Sequence, residues 1–257
     1  MNEKELQQYF IEECSVTTGN AIKLGFGKLD RNVYLQIKKI MEANGGKWKG
    51  GRISGFVFGS GAASAETVYE SLCSGNIENR KKMFQYYPTP GDIADRMVEK
   101  LNIREDNVKA GKVLEPSAGR GALIQAVHRK FPDVVIDAYE INPDCYQSLE
   151  QCRNVFIHKS DFLESPDDEY YDYIIANPPF AKNADIRHFC KMYSVLKPGG
   201  TMCCIVSSHA LEVSGSEETE FKTWLYSLSP DIEKLPHGTF KESGTNICSY
   251  MITVTKK

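Results

Sequence analysis

No stretch of this 257-residue chain approaches 18 consecutive apolar residues, and its opening segment, Met1–Phe10, is polar. Neither a membrane-spanning helix nor a secretory leader is therefore expected. The eight cysteines contain no C-x-x-C pair, which argues against a zinc ribbon or a thioredoxin-type redox site. Cys203 and Cys204 lie in an apolar run where thiols act as small hydrophobes. All eight are expected to be reduced, as in an intracellular protein. The five histidines are dispersed, with none at ligand spacing from another, so no metal site is expected. Internal repeats and low-complexity tracts are also missing, which excludes a solenoid.

What is present is ordinary for a globular protein: 41% apolar and 25% charged residues. The length suits one large domain and a small one, with a boundary expected between residues 83 and 84. The net charge of −3 is unevenly spread. Residues 23–52 hold Lys23, Lys28, Arg31, Lys38, Lys39, Lys47, Lys49 and Arg52 against Asp30 and Glu42, whereas residues 86–257 hold 19 basic and 25 acidic residues. A basic segment attached to an acidic body is a mild nucleic-acid signal; a merely solvated face is the alternative.

Residues 1–20 read as a polar helix followed by a loop. Asp30 can cap a helix bearing Val33, Tyr34, Ile37, Ile40 and Met41 on one face, stopped by Asn44-Gly45-Gly46. Lys47-Trp48-Lys49-Gly50-Gly51-Arg52 then leads into Ile53–Phe58 as a hairpin. Its basic residues interleaved with Trp48 could follow a phosphate backbone, or Trp48 could belong to the core of this small unit. A further helix spans about Ala65–Ser74, and Arg80-Lys81-Lys82 follows.

Tyr86-Tyr87-Pro88-Thr89-Pro90 opens the large domain. Thr89 is expected to cap the next helix, with Pro90 in its first turn and Asp92 completing a T-x-x-D box. Ile93, Ala94, Met97, Val98 and Leu101 form its buried stripe. Beyond a loop from Asn102 to Gly111, strands at Lys112–Glu115, Val134–Glu140, Val155–His158, Tyr171–Ala176 and Thr201–Ser207 alternate with helices. Those helices are placed at about Ala122–Lys130, Pro143–Cys152 and Ala184–Leu196, with Lys197-Pro198-Gly199-Gly200 as a turn. Such alternation predicts an α/β fold, a mostly parallel sheet covered on both faces. After a loop at His209–Glu218 and a helix at about Glu217–Leu228, Asp231–Leu235 and Asn246–Thr255 should close the sheet as an antiparallel hairpin.

Four successive strand tips carry chemistry. Glu115-Pro116-Ser117-Ala118-Gly119-Arg120-Gly121 joins the first strand to its helix, and its small residues let a ligand approach the backbone. The third glycine of the dinucleotide fingerprint is absent, and Glu115 would repel phosphate, so a cationic ligand suits the loop better. Glu140, followed by Ile141, ends the second strand, where an acid typically binds ribose hydroxyls. Asp161 after the third strand can accept from an adenine amino group, and Phe162 can pack on the ring. The fourth tip is Asn177-Pro178-Pro179-Phe180. Two prolines with fixed φ and no N–H hold Asn177 as a rigid amide, and Phe180 adds a flat face. Each acid alone is as readily a surface carboxylate; the conjunction is the stronger signal.

With those residues the large domain resembles the S-adenosylmethionine-dependent N6-adenine DNA methyltransferases, in the motif order termed gamma, over about residues 84–256. The resemblance implies a Rossmann-like class I fold of seven strands and assigns roles by motif. Tyr87, Thr89 and Pro90 match the upstream cofactor motif. Glu115, Pro116, Ala118, Gly119 and Gly121 match the glycine loop, Glu140 and Ile141 the ribose site, and Asp161 and Phe162 the adenine clamp. Asn177, Pro178, Pro179 and Phe180 match the catalytic tetrad, with Asn177 also beside the cofactor. The closing hairpin, Leu235–Thr255, matches the border of the target base, where Phe240 would join Phe180.

The implied partner is double-stranded DNA with its target adenine flipped out, since a strand-tip pocket cannot reach a stacked base. The chain ends just after the last catalytic strand, without the large C-terminal recognition domain usual in that family. DNA contacts are then expected from residues 23–52, from the His209–Glu218 loop, or from a specificity partner chain. Gly45-Gly46-Lys47-Trp48 resembles modules fused to methyltransferases of phages and other mobile elements. That resemblance implies a cytoplasmic, stand-alone methylase of bacterial or phage origin, and no nuclease motif is visible. The rival readings are an RNA base amino methyltransferase, a protein glutamine methyltransferase, and an inert cofactor-binding DNA module. The Tyr-Pro-Thr-Pro motif favours DNA, and Asn rather than Ser at 177 disfavours the N4 of cytosine.

Overall fold

The computed structural model describes residues 1–25, 29–59, 64–75, 87–104, 111–168, 170–241 and 247–257. Lys28, Arg80-Lys81-Lys82, Tyr86, part of the Asn102–Gly111 loop and part of the loop before the last strand lie outside the described residues. The chain divides into two compact units, Met1–Gln85 and Tyr86–Lys257.

The first unit packs helices α1 (Glu3–Glu13), α2 (Arg31–Ala43) and α3 (Ala65–Cys73) with an antiparallel four-stranded sheet in the order β1-β2-β4-β3. Its strands are β1 (Ser15–Thr17), β2 (Ala21–Lys23), β3 (Gly46–Lys49) and β4 (Gly55–Phe58). The β1–β2 hairpin replaces the loop expected before residue 20. It turns at Asn20, whose φ is +52 and whose Nδ2 donates to the Phe58 carbonyl at 2.7 Å. Asp30 caps α2 as the sequence predicts, accepting from the Asn32 N–H at 2.8 Å. Leu6, Phe10, Ile37, Met41, Val68 and Leu72 from the helices share one core with Ile22, Phe56 and Phe58 from the sheet.

The second unit is a seven-stranded sheet in the order β10-β11-β9-β8-β5-β6-β7. Its strands are β5 (Val113–Glu115), β6 (Ile136–Tyr139), β7 (Val155–His158), β8 (Tyr171–Ala176), β9 (Leu196–Ser207), β10 (Asp231–Lys234) and β11 (Ser249–Thr255). The pairs β5–β6, β5–β8, β6–β7 and β8–β9 are parallel, while β11 runs antiparallel to both β9 and β10. This is the Rossmann-like methyltransferase sheet with an antiparallel closing hairpin that the sequence predicts. The expected turn at 197–200 lies within β9 as a register shift against β8, and Gly199 there takes φ +80.

Helices cover both faces of that sheet. On one side lie α4 (Gly91–Lys100) and α5 (Ala122–Lys130), joined by Leu149 of α6 (Pro143–Leu149). On the other lie α7 (Ala184–Val195), α8 (Ser208–Glu212) and α9 (Ser216–Ser227). The central strands are buried on both faces, so they read as continuous apolar runs. Along β8, Tyr173 and Ile175 face one core while Ile174 and Ala176 face the other. Cys203 and Cys204 are fully buried on opposite faces, and burial pushes the Cys203 thiol up to about 12, well away from a reactive thiolate. The stretch expected to be an open loop at His209–Glu218 is instead largely α8 and the start of α9.

Candidate functional site

The order of strands reverses at β5, which has β6 on one side and β8 on the other. Ligands of open α/β sheets bind outside the carboxyl ends of the strands at such a point. Four of the motifs singled out above sit at the ends of β5, β6, β7 and β8.

The β5 tip carries Glu115, 1% exposed. Its Oε1 accepts from the Ser117 N–H at 3.2 Å, while Oε2 is buried with no partner among the described residues. Burial, reinforced by the nearby Glu140 carboxylate, holds the Glu115 carboxyl well above the ordinary range. A buried carboxylate oxygen without a donor fits a cationic or hydrogen-bond-donating ligand group. The Ser117 hydroxyl is likewise buried and unpartnered among the described residues. Sequence reasoning passed over Ser117, although its place between Glu115 and Gly119 could have signalled it. Pro116 and Ala118 continue the loop, and the Ala118 N–H donates to the Tyr139 carbonyl at 2.9 Å, pinning the loop against β6. Gly119 and Gly121 take φ +54 and +83, which explains both glycines. A Cβ on Gly121 would in addition come within 3.2 Å of Cys152 Sγ.

The second tip, Glu140, reaches back to this loop. Its Oε2 accepts from the Gly119 N–H and its Oε1 from the Asn142 N–H, each at 2.6 Å. Burial raises its pKa while those N–H groups oppose the rise. Each carboxylate oxygen keeps a lone pair for a further donor. Ile141 beside it is 48% exposed, an apolar surface next to the acid.

The third tip departs from expectation. Asp161 Oδ1 accepts from the Leu163 N–H at 2.8 Å and so caps the 3-10 turn Phe162–Glu164. Phe162 is only 2% exposed. Its ring meets Tyr139 edge-on at 5.4 Å and lies under the Lys191 ammonium at 5.3 Å. Phe162 is therefore a core residue rather than an open face for a purine, because the turn that Asp161 caps swings it inward.

The fourth tip joins the site to the segment before α4. Asn177 Nδ2 donates to the Thr89 hydroxyl at 3.1 Å and to the Tyr87 carbonyl at 3.3 Å. Asn177 Oδ1 is buried with no partner among the described residues. Thr89 thus does not cap α4. The helix starts at Gly91 after Pro90, with no side-chain cap bond, and the buried Thr89 serves the strand tip instead. Pro178 is buried, and Pro179 and Phe180 are half-buried. Phe180 packs against the core that contains Phe240. Phe240 is 1% exposed, so it belongs to that core and presents no open face to a base.

Glu115, Ser117 and Asn177 thus leave three buried polar atoms unpartnered among the described residues, at the ends of the adjacent strands β5 and β8. Residues 92–224, more than half of the chain, match the methyltransferase small domain family. The chain belongs to that family. This methyltransferase small domain protein is also similar in sequence to curated proteins. "Defense against restriction protein B" of Escherichia phage P1 is 26% identical over 196 residues, which is 67% of this chain and 8% of that protein. The type II methyltransferase M.AccI of Acinetobacter calcoaceticus is 30% identical over 126 residues, which is 48% of this chain and 22% of that protein. The chain therefore spans only a minor part of the length of either relative. Among solved structures, the methyltransferase subunit of a type I restriction-modification system from Streptococcus thermophilus matches with a TM-score of 0.58 at 17% identity, covering 75% of this chain and 53% of that one. That likeness bears on the fold. No described helix is long and apolar enough to cross a membrane, and no cluster of metal-ligating side chains occurs among the described residues.

Proposed function

We propose that this chain transfers a methyl group from S-adenosylmethionine to the exocyclic N6 amino group of a flipped adenine in DNA. The observation that carries this reading is the Asn177 side chain, whose donor end is bound to Thr89 and Tyr87 while its acceptor end is buried and unmatched among the described residues. A group so fixed accepts a hydrogen bond from an incoming amine without reorganising. The lone pair of an aromatic amine is delocalised into the ring, so N6 is a weak nucleophile. Asn177 Oδ1 and the Pro178 carbonyl accept its two N–H bonds and stabilise the positive charge that develops on nitrogen during attack. Phe180 stacks on the base and fixes its plane.

The cofactor supplies a sulfonium-activated methyl group. The residues present fit it: the Oε2 of Glu115 and hydroxyl of Ser117, unpartnered among the described residues, suit its amino-acid end, Glu140 its ribose hydroxyls, and Ile141 and Asp161 its adenine. In-line positioning between two such sites on adjacent strand tips is worth several orders of magnitude in rate. The choice of DNA over RNA rests on the Tyr-Pro-Thr-Pro segment and on the likeness to proteins named for restriction and for type II methyl transfer. No cysteine directly follows a proline, as the nucleophile of carbon-5 cytosine methyltransferases does, which fits direct transfer with no covalent enzyme intermediate.

The test is long-read modification mapping of DNA from a methylase-free host expressing the chain, beside the Asn177→Ala variant. N6-methyladenine at a recurrent sequence motif is expected with the unaltered chain and none with the variant, although the variant still binds S-adenosylmethionine. Unmodified DNA together with labelled methyl groups in RNA would overturn the reading.

A further inference from the structure

The small unit carries a feature that the methyl-transfer site does not use. Cross-strand register puts Ile22, Phe56 and Trp48 in one row, of which Ile22 and Phe56 are buried in the core beneath the helices. Lys47 and Lys49 alternate to the opposite face, on the edge strand β3, and both are exposed. The turn that follows, Gly50-Gly51-Arg52, is exposed throughout. Among the described residues Lys47, Lys49 and Arg52 form no ion pair, whereas Lys38 on α2 pairs with Glu42 at 3.6 Å.

The ribbon is braced from within. The Ser54 hydroxyl donates to the Gly51 carbonyl at 2.8 Å across the turn. Trp48, itself 42% exposed, meets Tyr34 and Phe56 edge-on at 5.8 and 5.2 Å, so it packs on the side of the sheet opposite to the two lysines. Gly51 has φ +71, and a Cβ there would meet nothing within 4 Å, which leaves room for another backbone to approach.

We propose that the β3–β4 ribbon touches the phosphodiester backbone of duplex DNA through Lys47, Lys49 and Arg52. The choice of polyanion rests on the DNA reading above. Residues 86–257 have six more acidic than basic groups, so a chain acting on DNA needs cations elsewhere to offset that repulsion. At the edge of the four-stranded sheet β3 and the turn after it are open on one side, so their long side chains can reach phosphates of a duplex laid against that edge. Such interactions fix register and add affinity without reading sequence.

The experiment measures duplex-DNA affinity of the full chain against salt, for the unaltered protein and for Lys47→Gln/Lys49→Gln/Arg52→Gln. The log–log salt slope is expected to become shallower by about 3, roughly one for each phosphate that is no longer neutralised. The weakening should be alike for unrelated sequences, with cofactor affinity unchanged as a check on folding. A charge-matched control on the solvent side of α2, Arg31→Gln/Lys38→Gln/Lys39→Gln, should leave the slope as it was. An unchanged slope in the ribbon variant, equal weakening in both variants, or weakening seen only with single-stranded RNA would each overturn the proposal. If the ribbon variant has a shallower slope while the unaltered chain methylates no DNA, the ribbon's role stands and the proposed reaction falls. If DNA is methylated and the slope does not move, the reaction stands and the ribbon's role falls.

Discussion

The side-chain amide of Asn177 donates to the hydroxyl of Thr89 at 3.1 Å, across 88 residues of sequence, and its own carbonyl oxygen is left buried and unpartnered among the described residues. An Asn amide can flip, and a hydroxyl could serve either of its ends; the Tyr87 carbonyl at 3.3 Å can only accept, so it fixes which end faces the site. The Thr89 bond explains why Thr89 forgoes capping α4.

Replacing Thr89 with Val keeps the shape and removes the acceptor. A neutral hydrogen bond contributes about 0.5–1.5 kcal/mol, so kcat should fall about 3-fold to 10-fold. Cofactor affinity, which the proposed function assigns mainly to Glu115 and Glu140, should move much less. Thr89→Ser should restore the rate. Pre-steady-state methyl transfer at saturating DNA checks this, and an unchanged rate would show that the Tyr87 carbonyl suffices to hold the amide.

Glu115 links cofactor binding to pH. Burial raises its pKa in the folded protein. The folded state therefore keeps its proton over a range where the unfolded chain has lost it, and stability falls as pH rises from the ordinary carboxylate value through the raised one. A ligand cation needs the ionised form, so cofactor affinity should rise with pH over that same window. Glu115→Gln removes the share of both slopes that Glu115 contributes, while Glu140 and Asp185, also raised by burial, keep theirs. The variant should melt no lower than the unaltered protein at neutral pH, yet bind S-adenosylmethionine about tenfold to a hundredfold more weakly, as expected for removal of a charge-assisted bond of about 1.5–3 kcal/mol. Calorimetric titration and thermal melts across pH measure the two effects separately.

How far the sequence discloses this site depends on the kind of physics involved. The central strands β5 and β8 are legible because both faces are buried, and Tyr171–Ala176 falls where its apolar run places it; Val155–His158 is found at the expected residues although it is the edge strand and Phe156 is exposed. The positions of Glu115, Glu140 and Asn177 at strand tips follow from that reading. The roles of Phe162 and Phe240 do not, because an aromatic after a strand packs inward or outward according to a turn that only tertiary packing decides. The β1–β2 hairpin escapes notice because each strand has three residues, too short for an alternating pattern to stand out. Thr89 misleads for a different reason. Its local signal is a good cap, and a residue 88 positions away competes successfully for its hydroxyl.

Asp185 carries the last expectation. It lies in the first turn of α7, soon after Phe180, and is 1% exposed. Its Oδ2 accepts from the Ser207 N–H at 2.8 Å and from the Ser207 hydroxyl at 2.7 Å. Ser207 ends β9, the neighbour of β8, so the carboxylate ties the segment after the tetrad to the next strand tip. Asp185→Ala strands two buried donors, at a cost of about 1–3 kcal/mol. For a domain of this size the melting temperature should fall by roughly 2–10 °C. If the tie also steadies Phe180, kcat should drop at temperatures where the variant is fully folded, with cofactor affinity intact. Asp185→Asn keeps an acceptor for Ser207 and should recover most of both losses. Burial also holds the Asp185 carboxyl above its usual range, so its ionisation opposes folding as pH rises through that raised value. The Asn substitution removes this slope, and melts of the two variants at acid and neutral pH separate the missing bond from the buried charge.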